Sequence, residues 1–279
     1  MNQTESLKQT GLVNVQYPSS ARVAVKKAVT SWKIFCGLPV EVKKSFIYEE
    51  GAILDGAGYE LKEEKGSRRD LKENFHVTLA ALSRLEEAGR SVSDPNARIF
   101  IDDAHNLVKF ITPLIMDFAE KLERNFKLPR LADEVLRGRE HWILRYLHYF
   151  GDRSVGEEIA TAHADKSGFT LHLYESAPGL QFLEITGSGM WKEMPVSEGQ
   201  TVIIPNMQLQ YRTCGELKAL CHRVVATEDT AKTGRYSVVC FIPFTSSPAY
   251  NKGGMGRLQE FSPGFNYTMA HGDFSQLFV

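Results

Sequence analysis

From residue 139 onward the chain is a succession of short apolar or alternating runs: "HWILRYLHYF", "GFTLHLYE", "GLQFLEIT", "GMWKEMPV", "QTVIIPNMQ", "LCHRVVATE" and "RYSVVCFIPF". Gly, Pro, Asp and Ser separate them. Short strands punctuated this way predict an antiparallel sandwich or barrel over roughly 139–246, with double-sheet jelly rolls and cupins as the architectures in view. The first 138 residues differ in character. Val25, Ala28, Val29, Trp32 and Phe35 recur at helical spacing over 20–36, behind the capping residues Ser19 and Ser20, and Gly37 and Pro39 end the run. A second stripe, Leu107, Phe110, Leu114, Phe118 and Leu122, predicts a helix over 104–126 that Pro113 either kinks or starts. "RLADEVLR" is a short helix ending at Gly138, and 45–75, rich in Gly and charge, reads as loop with short elements.

The expected fold is therefore mainly β with α: a jelly-roll (double-stranded β-helix, cupin-like) core, with N-terminal helices covering one sheet face through Trp32, Leu107, Leu114 and Phe118. The chain divides into a helical region 1–138, a jelly roll 139–246 and an aromatic tail 247–279 that lies across the body as a cover. One compact unit is expected, as a monomer or weak homo-oligomer.

Composition serves here mainly to exclude. A net charge of −1 and a pI near 6.7 leave no electrostatic footprint for nucleic acid or an anionic membrane. No apolar run is long enough to span a bilayer, and no apolar leader follows "MNQTESLKQT". Cys36, Cys214, Cys221 and Cys240 have no CxxC spacing, so they read as small core residues in a reducing, cytoplasmic setting.

The stretch "TAHADKSGFTLHLYE" places His163 and Asp165 two apart in a run that reads as strand, so both point to one face and can converge on one ion. Two histidines and one carboxylate leave coordination positions open, which suits non-haem Fe(II) oxygen chemistry. His222, in "ALCHRVV", is the candidate for the second histidine because it falls in a later strand of the same region. A second HxD-like pair, His271 and Asp273, has no histidine after it. "GRYSVV" then sets Arg235 and Ser237 on one face of a strand. An inward arginine is costly unless an anion meets it, whether a bound carboxylate or an internal Asp or Glu. His172 reads as a core or supporting histidine, and His76, His105, His141 and His148 as ordinary structure.

In that order, HxD, then His, then RxS, the chain resembles the isopenicillin N synthase-like branch of the Fe(II)/2-oxoglutarate-dependent dioxygenases. "HADKSGFTLHLYESAPGLQFL" is similar to the family's metal strand, and "GMWKEMPVSEGQTVIIPNMQLQYRTCGELKALCHRVV" to its segment leading to the second histidine. "FCGLPVEVKKSF", "GYE" and "DLKENFHV" resemble the family's N-terminal half. The resemblance implies that His163, Asp165 and His222 ligate iron and that Arg235 and Ser237 hold the distal carboxylate of 2-oxoglutarate. "LRYLHYF" aligns with a family strand that places Tyr149 at the co-substrate, although Leu147 and His148 replace Asn and Tyr. By period two, Arg145 shares a face with Leu147 and Tyr149; if that face is the inner one, Arg145 meets an anion, on the substrate, and otherwise it lies outside. Asn206-Met207 stands where the family has Gly-Asp, which alters a local turn.

The implied chemistry uses Fe(II), 2-oxoglutarate and O2, releases succinate and CO2, and hydroxylates, desaturates or cyclises a small metabolite of amino-acid, peptide or aromatic origin. With Asp165 present, halogenation is not expected. Two alternatives stand beside this reading: a 2-oxoglutarate-independent oxidase resembling isopenicillin N synthase, and a non-catalytic binding protein on the same fold.

Overall fold

The computed structural model describes residues 3–50, 56–62, 71–185 and 189–247. The tail aromatics and the His271–Asp273 pair lie outside the described residues. Among these residues eleven strands form two antiparallel sheets. In chain order they are β1 (Val13–Gln16), β2 (Gly58–Lys62), β3 (Lys72–Val77), β4 (Ile143–Tyr149), β5 (Glu158–His163), β6 (Phe169–Glu175), β7 (Leu180–Leu183), β8 (Trp191–Glu193), β9 (Gln200–Pro205), β10 (His222–Val225) and β11 (Arg235–Ile242). One sheet runs β1-β9-β6-β11-β4-β3-β2 and the other β5-β10-β7-β8. The two face each other as a jelly roll, as the sequence predicts.

Three of the seven strands in the larger sheet come from the N-terminal half, which is therefore not simply helical. Residues 45–75, read as loop from the sequence, contain β2 and most of β3. The reason is local. In "KENFHV" nearly every residue is buried, yet polar Glu73 points to one face and polar Asn74 and His76 to the other. No apolar/polar alternation survives to announce a strand.

The helices α1 (Gln3–Thr10), α2 (Ser19–Cys36), α3 (Val40–Lys44), α4 (Leu82–Ser91), α5 (Pro95–Asn125) and α6 (Leu131–Arg137) belong to the N-terminal half, and two short ones, α7 (Met207–Arg212) and α8 (Thr230–Thr233), lie between later strands. The helix predicted over 104–126 is longer than expected. It starts at Pro95, whose missing N–H costs nothing in the first turn, and Asp94 caps it by accepting from the Asn96 backbone N–H at 2.8 Å. Pro113 sits inside, on the exposed side, where water can serve the carbonyl that loses its partner. Phe110 departs from the predicted stripe and is 43% exposed, whereas Leu107, Leu114 and Phe118 are buried.

Two apolar cores result. Between helices and the larger sheet, Phe100 packs against Phe35, Phe75 and Tyr146 with ring centroids 4.9 Å apart in each case, and Trp32 joins at 5.4 Å. Each such buried ring contributes about 1.5–3 kcal/mol of apolar transfer, and favourable ring pairs add about 0.5–1.5 kcal/mol. Between the sheets a smaller core of Leu147, Ile159, Phe182, Val202, Ile204 and Val224 holds the two layers together. Cys221 and Cys240 are buried as expected, but Cys214 is exposed; none of the four cysteines forms a disulfide.

Register fixes which side chains line the inner face of the larger sheet, because directly opposed residues point the same way. Three rows cross it: Lys62, Lys72, Tyr149, Arg235; then Glu60, Asn74, Leu147, Ser237, Glu175; then Gly58, His76, Arg145, Val239, His172. The helix face carries the intervening row Leu61, Glu73, His148, Tyr236. Arg145 thus lies on the inner face.

Candidate active site

His163 ends β5 and His222 begins β10, and the two are direct cross-strand partners with ring centroids 4.5 Å apart. Asp165 lies just past β5, not within it as the sequence reading had it, yet its carboxylate still reaches the neighbourhood of both rings. Its Oδ1 is 3.6 Å from His163 Nε2 and 3.9 Å from His222 Nε2. One ligand atom from each of the three residues lies within 4.8 Å of the others.

The far side of each ring fixes what the near side can do. His163 Nδ1 lies 2.7 Å from the Thr161 carbonyl and His222 Nδ1 lies 3.1 Å from the Leu220 carbonyl. A carbonyl only accepts, so each Nδ1 carries a proton and each Nε2 is the atom turned to the common centre, with a lone pair to offer when the ring is neutral. Asp165 is held from behind in the same manner. Thr170 donates to its Oδ2 at 2.7 Å, and the side-chain amide of Asn206 lies 2.8 Å from that hydroxyl.

Electrostatics agree with this geometry. Burial pushes the His222 imidazole down to about 3, against the pull of Asp165, so it is neutral at physiological pH. Burial alone would raise the Asp165 carboxyl, but His222, His163 and Thr170 together hold it far below the usual carboxylate range. Burial works against charge on His163 as well, yet the bond and charge of Asp165 outweigh it and raise that imidazole. Two neutral-capable imidazoles and one ionised carboxylate converge, with His163 half open (48% exposed) and the other two buried. This donor set fits a divalent transition metal with room for further ligands.

Arg235 and Ser237 share the inner face, as the RxS spacing predicts. Arg235 is fully buried, and Gly234 makes its position possible. With φ at 74° that glycine passes so close to β4 that a Cβ would sit 2.2 Å from the Tyr149 carbonyl. The Arg235 guanidinium already has an anion. Its Nη2 donates to Glu175 Oε2 at 2.7 Å and to the Ala177 carbonyl at 2.8 Å, and the Ser237 hydroxyl donates to the same Glu175 oxygen. Nε and Nη1 of Arg235 are buried without partners among the described residues. Glu175 and Thr170 went unnoticed in the sequence; the one sign of Glu175 was that a buried arginine needs an anion.

Tyr149 is buried directly opposite Arg235, with the Lys72 ammonium 5.3 Å above its ring. Leu147, opposite Ser237, puts an apolar side chain where the resembled family has an amide. Arg145 sits one row further on, its guanidinium 4.7 Å from the Phe241 ring centroid. His172 is buried beside the metal candidate, its ring 5.5 Å from that of His222, and both its nitrogens lack hydrogen-bond partners among the described residues. The other histidines divide. His105 and His141 are at the periphery, His148 belongs to a polar cluster on the helix face, and His76 faces inward beside Arg145.

With this geometry in hand, comparison with known proteins is informative. Residues 140–243 match the family described as the 2OG-Fe(II) oxygenase superfamily. A solved structure from Caulobacter crescentus, assigned to the 2OG-Fe(II) oxygenase family, is 25% identical over 88% of this chain and 81% of its own, with a TM-score of 0.71. A structure from Shewanella oneidensis described as an oxygenase is 24% identical over 93% of this chain and 94% of its own, with a TM-score of 0.68. The dioxygenase for auxin oxidation 1 from Arabidopsis thaliana, solved with 2-oxoglutarate, superposes with a TM-score of 0.65 at 19% identity, over 86% of this chain and 86% of its own. No curated protein matches the sequence. The stretch 140–243 is thus a 2OG-Fe(II) oxygenase superfamily domain. The protein is a non-haem dioxygenase that uses Fe(II), 2-oxoglutarate and O2.

Proposed function

We propose that this oxygenase oxidises a small organic molecule, with iron held by His163, Asp165 and His222 and the distal carboxylate of 2-oxoglutarate held by Arg235 and Ser237. The observation that carries the metal assignment is the pair of imidazoles whose Nδ1 atoms are tied to backbone carbonyls, leaving both Nε2 lone pairs aimed at one Asp165 oxygen. Bound there, Fe(II) supplies oxidative decarboxylation of 2-oxoglutarate to succinate and CO2, coupled to oxidation of the substrate. Within the superfamily the isopenicillin N synthase-like branch is supported by the order HxD, His, RxS and by the N-terminal segments "FCGLPVEVKKSF" and "DLKENFHV".

The chain's own groups divide the remaining work. Thr170 occupies Oδ2 of the Asp165 carboxylate, so Oδ1 is the oxygen that would be offered to a metal. Arg235 supplies a fixed charge at the floor of the inner face, 0% exposed, where a bound carboxylate is shielded from water. In the ligand-bound protein the 2-oxoglutarate carboxylate takes the donors that Glu175 now occupies, and Glu175 turns toward His172, whose Nδ1 is already 3.5 Å from its Oε1. Tyr149, beside Arg235 in the same row, closes the side of this subsite.

A small substrate is supported by similar structures solved with thymine or with JA, and by the one named for auxin oxidation. No helix of the described residues is long and apolar enough to cross a membrane. The test is succinate release from 2-oxoglutarate by Fe(II)-loaded protein across a metabolite collection. Stimulation by a small molecule is expected; turnover confined to a protein or nucleic-acid substrate refutes the assignment.

A further inference from the structure

Next to the metal candidate, the second and third inner rows leave several polar groups without partners. Arg145 Nε, His76 Nε2 and Asn74 Oδ1 are all buried and make no hydrogen bond to a described residue. His76 and Asn74 are 5% and 2% exposed, so water does not serve them from outside. Three buried groups left unsatisfied close together are costly, because each has given up its water without a replacement. Such clusters persist where a ligand completes them.

Their chemistry specifies the ligand. The neighbourhood is cationic: Arg145, Lys62 and Lys72 all bear on His76, and with burial they hold its imidazole well below the usual value, so it stays neutral. A hydrogen bond to the Gly56 backbone favours the protonated ring, as a carbonyl acceptor does. The partnerless Nε2 is then an acceptor. Asn74 Oδ1 is one too, its amide nitrogen reaching Glu60 at 3.4 Å. Glu60, in the same row as Asn74, lies 3.8 Å from Lys62. Arg145 has the Phe241 ring on one face and a charge environment that includes Asp165 of the metal candidate, Tyr149, Tyr48 and Glu60. Tyr48 stands edge-on to His76 at 5.2 Å, and at Gly58, the end of the row, the Phe46 and Ile47 carbonyls pass where a side chain would be.

We propose that Arg145, His76 and Asn74 form the substrate subsite, and that the substrate is a small carboxylic acid carrying an N–H or O–H donor. Its carboxylate takes the Arg145 fork and its donor bonds to His76 Nε2 or Asn74 Oδ1. The inference rests on the reading of the metal and 2-oxoglutarate sites given above, and deepens it. It also explains why two cationic anchors are needed on one face. Arg235 and Arg145 lie in different rows, so the co-substrate and the substrate each have their own.

The test uses Ni(II)-loaded protein saturated with 2-oxoglutarate and ligand-observed NMR. The probes are small hydroxy and amino carboxylic acids, each paired with its primary amide. Binding is expected among the acids and not their amides. Arg145→Gln should weaken acid binding at least ~30-fold, the loss of one partner of a buried charged pair. Calorimetry should show 2-oxoglutarate affinity within about twofold of the parent, and that measurement also certifies that the variant folds. His76→Phe should retain acids lacking a donor while losing the preference for those with one. Amides that bind as well as acids, or acid binding that survives Arg145→Gln, overturn the inference. So does a variant whose only loss is 2-oxoglutarate binding. Parent protein that binds Ni(II) but no 2-oxoglutarate overturns instead the reading beneath it.

Discussion

Among the described residues two clusters each bring a histidine and a carboxylate together with other potential ligands, and only one has the lone pairs of a proposed metal site. On the helix face of the larger sheet, Cys36, Glu73 and His148 have ligand atoms within the same 4.8 Å spread as His163, Asp165 and His222. Around Glu73, however, the oxygens are already occupied. Lys43 donates to Oε2 at 2.7 Å, Tyr59 to the same atom at 2.8 Å, and His148 Nδ1 lies 2.8 Å from Oε1. His148 is itself stacked on Tyr236, ring centroids 4.2 Å apart, and burial pushes the Cys36 thiol far up, away from the thiolate that metals bind. Around Asp165 the donors are turned outward to backbone carbonyls and the lone pairs inward. Proximity of ligand residue types is common to both clusters. The direction of their protons separates them.

The sharpest way to break the comparison is to remove one member of the Asp165 group. His222→Ala should abolish metal binding and activity together, read by calorimetry with Ni(II) and by succinate release, while leaving thermal stability near that of the parent. The same operation on the other cluster should do the reverse. Lys43→Met leaves Glu73 with Tyr59 and His148 as donors, so the loss falls near the lower end for a broken buried pair, about 3 kcal/mol, and metal affinity stays put. Thermal denaturation showing no change in Tm would place that lysine outside the cluster's energetics.

Arg235→Ala comes next. It removes the partner of a buried carboxylate, at a cost on the order of 2–5 kcal/mol, and should raise the 2-oxoglutarate constant roughly thirty-fold or more with metal binding intact. Because Glu175 then keeps only the Ser237 hydroxyl as a donor, stability falls as well, which a surface arginine would not show. Acid titration probes the Glu73 cluster without mutation. Burial would raise Glu73, but His148, Lys43 and Tyr59 outweigh it and bring it to about 2. A depressed carboxyl contributes stability that is complete above its unfolded value and disappears as pH falls through the folded one. A loss on the order of 3 kcal/mol should therefore develop between about pH 4.5 and pH 2, and Glu73→Gln should flatten it. The smallest effect concerns Glu175→Gln. Turning a charge-assisted bond into a neutral one weakens the competitor for Arg235 by about 1 kcal/mol, so 2-oxoglutarate should bind roughly fivefold tighter. Unchanged affinity would show that Glu175 does not yield to the co-substrate.

The metal candidate was legible in the sequence because its logic is nearly local: HxD at a strand end and one histidine at the start of another. Arg235 and Ser237 were legible for the same reason, two residues on one strand face. Their partner was not, because Glu175 lies 60 residues from Arg235 and only register brings them together. The jelly-roll strands showed themselves through alternation, whereas β2 and β3 hid because polar groups are buried on both faces of β3. His76 looked ordinary for the same reason. Its importance lies in standing beside Arg145, which no pattern within "DLKENFHV" reveals.

The placement of the β2–β3 hairpin at the edge of the larger sheet has a consequence for how such an enzyme changes over time. The residues proposed to hold iron and 2-oxoglutarate fall within 140–243, whereas His76 and Asn74 come from a hairpin outside that stretch. An edge hairpin has one neighbouring strand to satisfy, so it can drift, be exchanged or be grafted while the oxidising apparatus stays as it is. Selectivity can then be inherited separately from reactivity, and a chimaera exchanging residues 56–77 between relatives is the natural unit for redirecting the enzyme.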